Sequence, residues 1–139
     1  MSTFEKRSIT LEAAQRVIAA ALAEADKLGV KVAVTVLDES GVLKAFARDD
    51  AAALVNVQSS QDKAYTAVGF ALPTHGWHDF IKDDPPLAAG APSGIDRLVV
   101  FGGGYPIVVA EQIVGGIGVS GGHYSEDMKV AEAALAALG

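Results

Sequence analysis

Between Leu98 and Gly122 the chain alternates short apolar, β-branched runs with clusters of glycine, which restricts its second half to strands joined by tight turns. Leu98 to Phe101, Pro106 to Ala110 and Ile113 to Val119 are too short for buried helices and rich in the branched residues that suit a pleated surface. Gly102-Gly103-Gly104 separates the first two runs and Glu111-Gln112 the last two, so a meander of three strands is expected.

The first half carries a different period. After Thr10, a good N-cap residue, Leu11, Ala14, Val17, Ile18, Ala21, Ala25 and Leu28 recur at helical spacing until Gly29 supplies a stop. Val30 to Leu37 and Val42 to Phe46 flank Asp38-Glu39-Ser40-Gly41 and predict a hairpin. From Ala51 to Gly69 no proline or glycine interrupts a helical face of Leu54, Val57, Gln61, Ala64, Tyr65 and Val68. Thr74 can cap a short helix carrying His75, Trp77, His78, Phe80 and Ile81, and the chain then reads as loop through Ser93-Gly94. Ser125 can cap a last helix with Glu126 and Asp127 in its first turn. The order α-β-β-α-α-β-β-β-α predicts an α+β fold, a five-stranded antiparallel sheet flanked by helices, as one domain over residues 1–139.

Composition narrows the functions open to such a fold. A formal charge of −6 with no basic run opposes nucleic-acid binding. Without cysteine there is no disulfide, thiolate nucleophile or Cys-ligated zinc. No apolar run reaches the eighteen residues of a membrane span and no signal-peptide core follows Arg7, so a cytoplasmic location is the expectation. Half the residues are hydrophobic and 20% are charged, an apolar balance that predicts buried interface in a homo-oligomer. A small-molecule ligand fits this composition best.

The glycines admit two readings, a pocket approached closely by ligand or tight backbone packing. On the pocket reading Gly103, Gly104, Gly121 and Gly122 offer amides to a carboxylate, with Tyr65 and Tyr105 nearby. The spacing fits neither a Walker nor a Rossmann phosphate loop. His75 and His78 lie three apart, on one helical face, and either imidazole can approach an iron; Trp77 can stack on a flat ligand. Lys63, His123, Asp49 and Glu126 supply bases and acids for proton transfer, and Lys63 equally suits a snorkelling role or a pair with Asp62 or Asp127.

Phe101-Gly-Gly-Gly-Tyr-Pro-Ile107, Val114-Gly-Gly-Ile-Gly-Val-Ser-Gly-Gly122, Glu126-Asp127 and the alanine-rich terminal helix together resemble the GlcG/HbpS family, which includes the C-terminal domain of PduO-type proteins. Val36-Leu-Asp-Glu-Ser-Gly-Val-Leu43, Lys63-Ala-Tyr-Thr-Ala67 and Pro73-Thr74 fall in the order of that family's remaining marks. The resemblance implies a profilin-like fold, homo-oligomers, and haem or corrinoid-related binding in some members. Arg48-Asp49-Asp50-Ala51-Ala52 departs from the family pattern, and His75-Gly76-Trp77-His78 and His123 are particular to this chain. Three functions follow as expectations: haem binding or handling, with His75, His78 or His123 at the iron; a catabolic enzyme (deaminase, tautomerase, hydratase or hydrolase) acting on a small carboxylated intermediate; and a structural accessory protein.

Overall fold

The computed structural model describes residues 1–138. Its elements are α1 (Leu11–Leu28), β1 (Ala33–Asp38), β2 (Leu43–Arg48), α2 (Val55–Phe70), α3 (Gly76–Ile81), α4 (Pro85–Gly94), β3 (Gly104–Val109), β4 (Gln112–Ser120) and α5 (Tyr124–Ala136). The strands form one antiparallel sheet in the order β2-β1-β4-β3. Four strands, not the expected five, make up that sheet.

Strand alternation divides β1 between two environments. Val34 and Val36 join Val17, Ile18 and Ala21 of α1 and Val130, Ala131 and Ala134 of α5 in the apolar core. Thr35 faces the other way, where its hydroxyl bonds Ser60 of α2 at 2.9 Å. On that second face the sheet is glycine. Side chains at Gly104, Gly116 and Gly118 would run into the α2 backbone, Gly116 at 2.8 Å from the Ala64 carbonyl and the others against Lys63 and Ser60. Gly104 and Gly118 are direct cross-strand partners, so the sheet presents a trough into which α2 settles.

The run Leu98 to Phe101 is no strand. It is a connector held by a helix side chain, with Thr66 Oγ1 donating to the Arg97 carbonyl at 2.8 Å and accepting from the Val99 amide at 3.0 Å. One hydroxyl answers backbone groups that a neighbouring strand would otherwise pair, and the β-branched residues alone cannot supply that strand. Arg97, at a φ of 64°, also stacks its guanidinium over Tyr65 at 3.9 Å and donates from Nε to Asp62 at 2.9 Å.

The stretch expected as loop contains α4. Asp84 caps it by accepting from the Leu87 amide at 3.2 Å, and Pro85 and Pro86 sit in the first turn, where a missing N–H costs nothing. Helix α2 starts at Val55, later than Ala51. Thr74 does not cap α3; its hydroxyl instead accepts from the Gly104 amide at 2.9 Å. Helix α5 is capped by His123, whose Nδ1 accepts from the Ser125 amide at 3.2 Å. Ser125, the expected cap, lies inside that helix.

Candidate functional site

A cleft of about 390 Å³ opens between α3, the connector and the start of α5, lined by His75, His78, Asp79, Val100, Phe101, Gly102 and Tyr124. Three stretches far apart in sequence meet here. The Pro73-Thr74 link ties the start of α3 to β3, because the Thr74 amide also donates to the Gly104 carbonyl at 2.9 Å. His75 and His78 are exposed within the cleft, and the His75 ring rests 5.5 Å from that of Tyr105. The rings of Phe101 and Tyr124, both partly open to solvent, lie 6.5 Å apart, and His123 stacks on Tyr124 at 4.1 Å. A larger depression of about 480 Å³ is lined by Arg7, Arg16, Ile9, Val114 and Leu138 among others, and includes none of the predicted site residues.

Behind the cleft lies a buried ion pair. Lys63 is 1% exposed and donates from Nζ to the Val119 carbonyl at 2.8 Å and to Asp127 Oδ2 at 2.9 Å, with the Phe101 ring 5.3 Å away. Asp127 Oδ1 accepts from the Gly122 amide at 2.9 Å. Burial pushes the lysine's affinity for its proton down and the carboxyl's up, and each ion opposes that push on the other. The Gly121-Gly122 amides add to the pull on Asp127. The pocket reading offered those amides to a ligand carboxylate; here the carboxylate belongs to the protein.

The remaining predicted residues fall in other places. Gly103 and Gly104 are buried against Lys63 and α2, in the packing of the sheet. Tyr105 is buried and donates its hydroxyl to Glu132 at 3.1 Å, and burial followed by that carboxylate pushes the phenol's pKa up. Trp77 is 4% exposed, packed edge-on by Phe70 and Phe80, and its Nε1 has no partner among the described residues. Glu126 accepts from the His123 amide at 3.1 Å and completes the helix cap. Asp49, beside Lys31 at 4.0 Å, and Tyr65, on the outer side of α2, are absent from the cleft lining. Phe101 and Tyr124 were not among the expected site residues. Their signal was adjacency, Phe101 to the glycine triplet and Tyr124 to His123.

Among the described residues no group of three or more His, Asp or Glu is placed to hold a metal ion by itself, and no helix is long and apolar enough to cross a membrane. What the cleft offers is two exposed imidazoles beside two aromatic rings, an arrangement suited to a flat ligand with an open coordination position.

Sheet, flanking helices and cleft define an α+β protein with one histidine- and aromatic-lined concavity. The chain belongs to the family described as haem degrading protein HbpS-like, whose model matches residues 9–136. It is 35% identical to protein GlcG of Escherichia coli over 112 residues, 81% of each chain. Among solved structures it resembles Klebsiella pneumoniae protein ORFY, with a TM-score of 0.92 at 31% identity, covering 99% of this chain and 94% of that one. It also resembles PduOC, solved as a complex with haem, with a TM-score of 0.87 at 32% identity over 94% of both chains.

Proposed function

We propose that this protein binds haem in the α3 cleft, with His75 or His78 as the axial ligand to iron. The observation that carries this reading is the pair of exposed imidazoles on α3 sharing one cleft with the Phe101 and Tyr124 rings. Family membership and the haem complex of PduOC support the choice of ligand. The donor set fits: imidazole is a customary axial ligand, and the cleft volume lies within the roughly 300–1,000 Å³ typical of small-molecule sites. Bound haem would supply an iron centre with the chemistry of its axial positions, while the chain supplies orientation and a partly dry wall.

Tautomer chemistry separates the three histidines. His123 Nδ1 accepts from the Ser125 amide, so in the neutral ring the proton sits on Nε2 and that nitrogen has no free lone pair for iron. No side-chain bond of this kind constrains His75 or His78 among the described residues. The net charge of −6 and absence of a basic run leave nucleic acid a poor partner.

In the enzymatic alternative His123 is exposed and can act as a base, but Lys63, its expected partner in proton transfer, is buried with its hydrogen bonds all internal. It therefore remains the second reading. Haemin titration followed at the Soret band decides between them. A saturable shift at one haem per chain, lost in His75→Ala or His78→Ala and retained in His123→Ala, is expected, together with quenching of Trp77 fluorescence. Weak, unsaturable binding indifferent to all three substitutions would sink the haem reading.

A further inference from the structure

The haem reading makes no use of Lys63 and Asp127, although they are the one ion pair among the described residues with both side chains almost wholly buried, 1% and 2% exposed. Their contacts reach both aromatic walls of the cleft. The Lys63 ammonium lies 5.3 Å from the centre of the Phe101 ring. Through Asp127 it also holds the turn that ends in Tyr124, since Asp127 Oδ2 takes the ammonium and Oδ1 takes the Gly122 amide two residues before that tyrosine. The third contact, to the Val119 carbonyl at 2.8 Å, anchors the assembly to the end of β4.

Space around the pair is closed. A side chain at Gly103 would meet Lys63 Nζ at 2.7 Å, and one at Gly122 would meet the capping Glu126 at 2.9 Å. A buried ion pair of this kind is a weak source of stability, because desolvating both ions offsets much of their attraction. What it provides well is a fixed geometry, with the ammonium donating to Asp127 and the Val119 carbonyl and the carboxylate accepting from Lys63 and the Gly122 amide, each in a set direction.

We propose that the Lys63–Asp127 pair is a positioning latch that sets the separation of Phe101 and Tyr124, and so the width of the cleft for a flat aromatic ligand. The inference rests on the haem reading for its ligand. Lys63 and Asp127 are positioning residues and touch no ligand themselves. The Gly121-Gly122 turn is then an internal anchor point, filled by Asp127, that aims the aromatic wall.

Two double substitutions in the full chain test this. Lys63→Met with Asp127→Leu removes the charges and the acceptor for Gly122, whereas Lys63→Met with Asp127→Asn removes the charges and keeps an amide oxygen for Gly122. By analogy with outer-shell partners of metal sites, the leucine variant should bind haemin about tenfold more weakly than wild type. Its Soret maximum should be unchanged, because the axial histidine is untouched. The asparagine variant keeps the Gly122 anchor but lacks the ammonium beside Phe101, so it should recover only part of the affinity; both variants leave the Val119 carbonyl without its donor and should melt below wild type, the leucine variant lower. Hydrogen exchange without haemin gives a second readout, with the Phe101 and Tyr124 amides, at positions neither variant substitutes, exchanging faster than in wild type in both variants. Wild-type haemin affinity in either variant, or wild-type exchange at the Phe101 and Tyr124 amides in both, would overturn the latch, as would failure of both to fold, which would make the pair a folding element. If wild type itself does not bind haemin, the haem reading falls and the exchange comparison still decides the latch.

Discussion

At Gly118 the sheet has no room for even a methyl group, because an added Cβ would strike the Ser60 carbonyl of α2. Neither partner is the end of a flexible side chain, so Gly118→Ala must separate helix from sheet. We expect a loss of about 3 kcal/mol or more in urea unfolding, at the upper end of overpacking costs. Gly29→Ala is the contrast: it has a φ of 72° but nothing within 4 Å, so only backbone strain of about 1 kcal/mol is expected. Comparable losses at the two sites would contradict the trough. Glycine in a strand announces close approach, but the residue alone does not say whether ligand or helix approaches. Gly104, Gly116 and Gly118 receive α2, and the Gly122 amide receives Asp127. Lys63 was legible as a partly buried helical lysine with two possible partners; the choice of Asp127 over Asp62 required the fold, since 64 residues separate the pair.

Among the elements, α1 with its Thr10 cap and Gly29 stop, the β1–β2 hairpin and the β3–β4 pairing follow the periodicity of the sequence closely. The connector after α4 does not. Its valines satisfy a strand pattern, yet Thr66 on α2 takes the backbone groups that a strand would pair. Replacing that hydroxyl with the isosteric methyl in Thr66→Val should leave the Arg97 carbonyl and Val99 amide without their partner. A cost of about 1–3 kcal/mol is expected, with faster amide exchange confined to residues 95–101. Uniform exchange across the sheet, or no change, would show that the connector is held by other means. Because Phe101 and Val100 line the cleft, the same variant should also weaken haemin binding. Helix α4 escaped the sequence reading because two prolines at its start look like a loop until the Asp84 cap is seen.

For the whole molecule, the balance of half hydrophobic and one-fifth charged residues predicts self-association. Large apolar side chains remain uncovered on one chain, Leu54 at 81%, Val55 at 69% and Phe80 at 62% exposure among them. Light scattering during size-exclusion chromatography should give a multiple of the chain mass at micromolar concentration; a monomer would remove that expectation. The sequence by itself determined the α+β class, most helices and the paired strands, since those depend on local period, capping and turn chemistry. Its ordered motifs also disclosed the family. Only the tertiary structure decided that the sheet stops at four strands, that the glycines pack a helix, and that His75, His78, Phe101 and Tyr124 share a cleft. Those outcomes depend on contacts between segments distant along the chain, which no local pattern encodes.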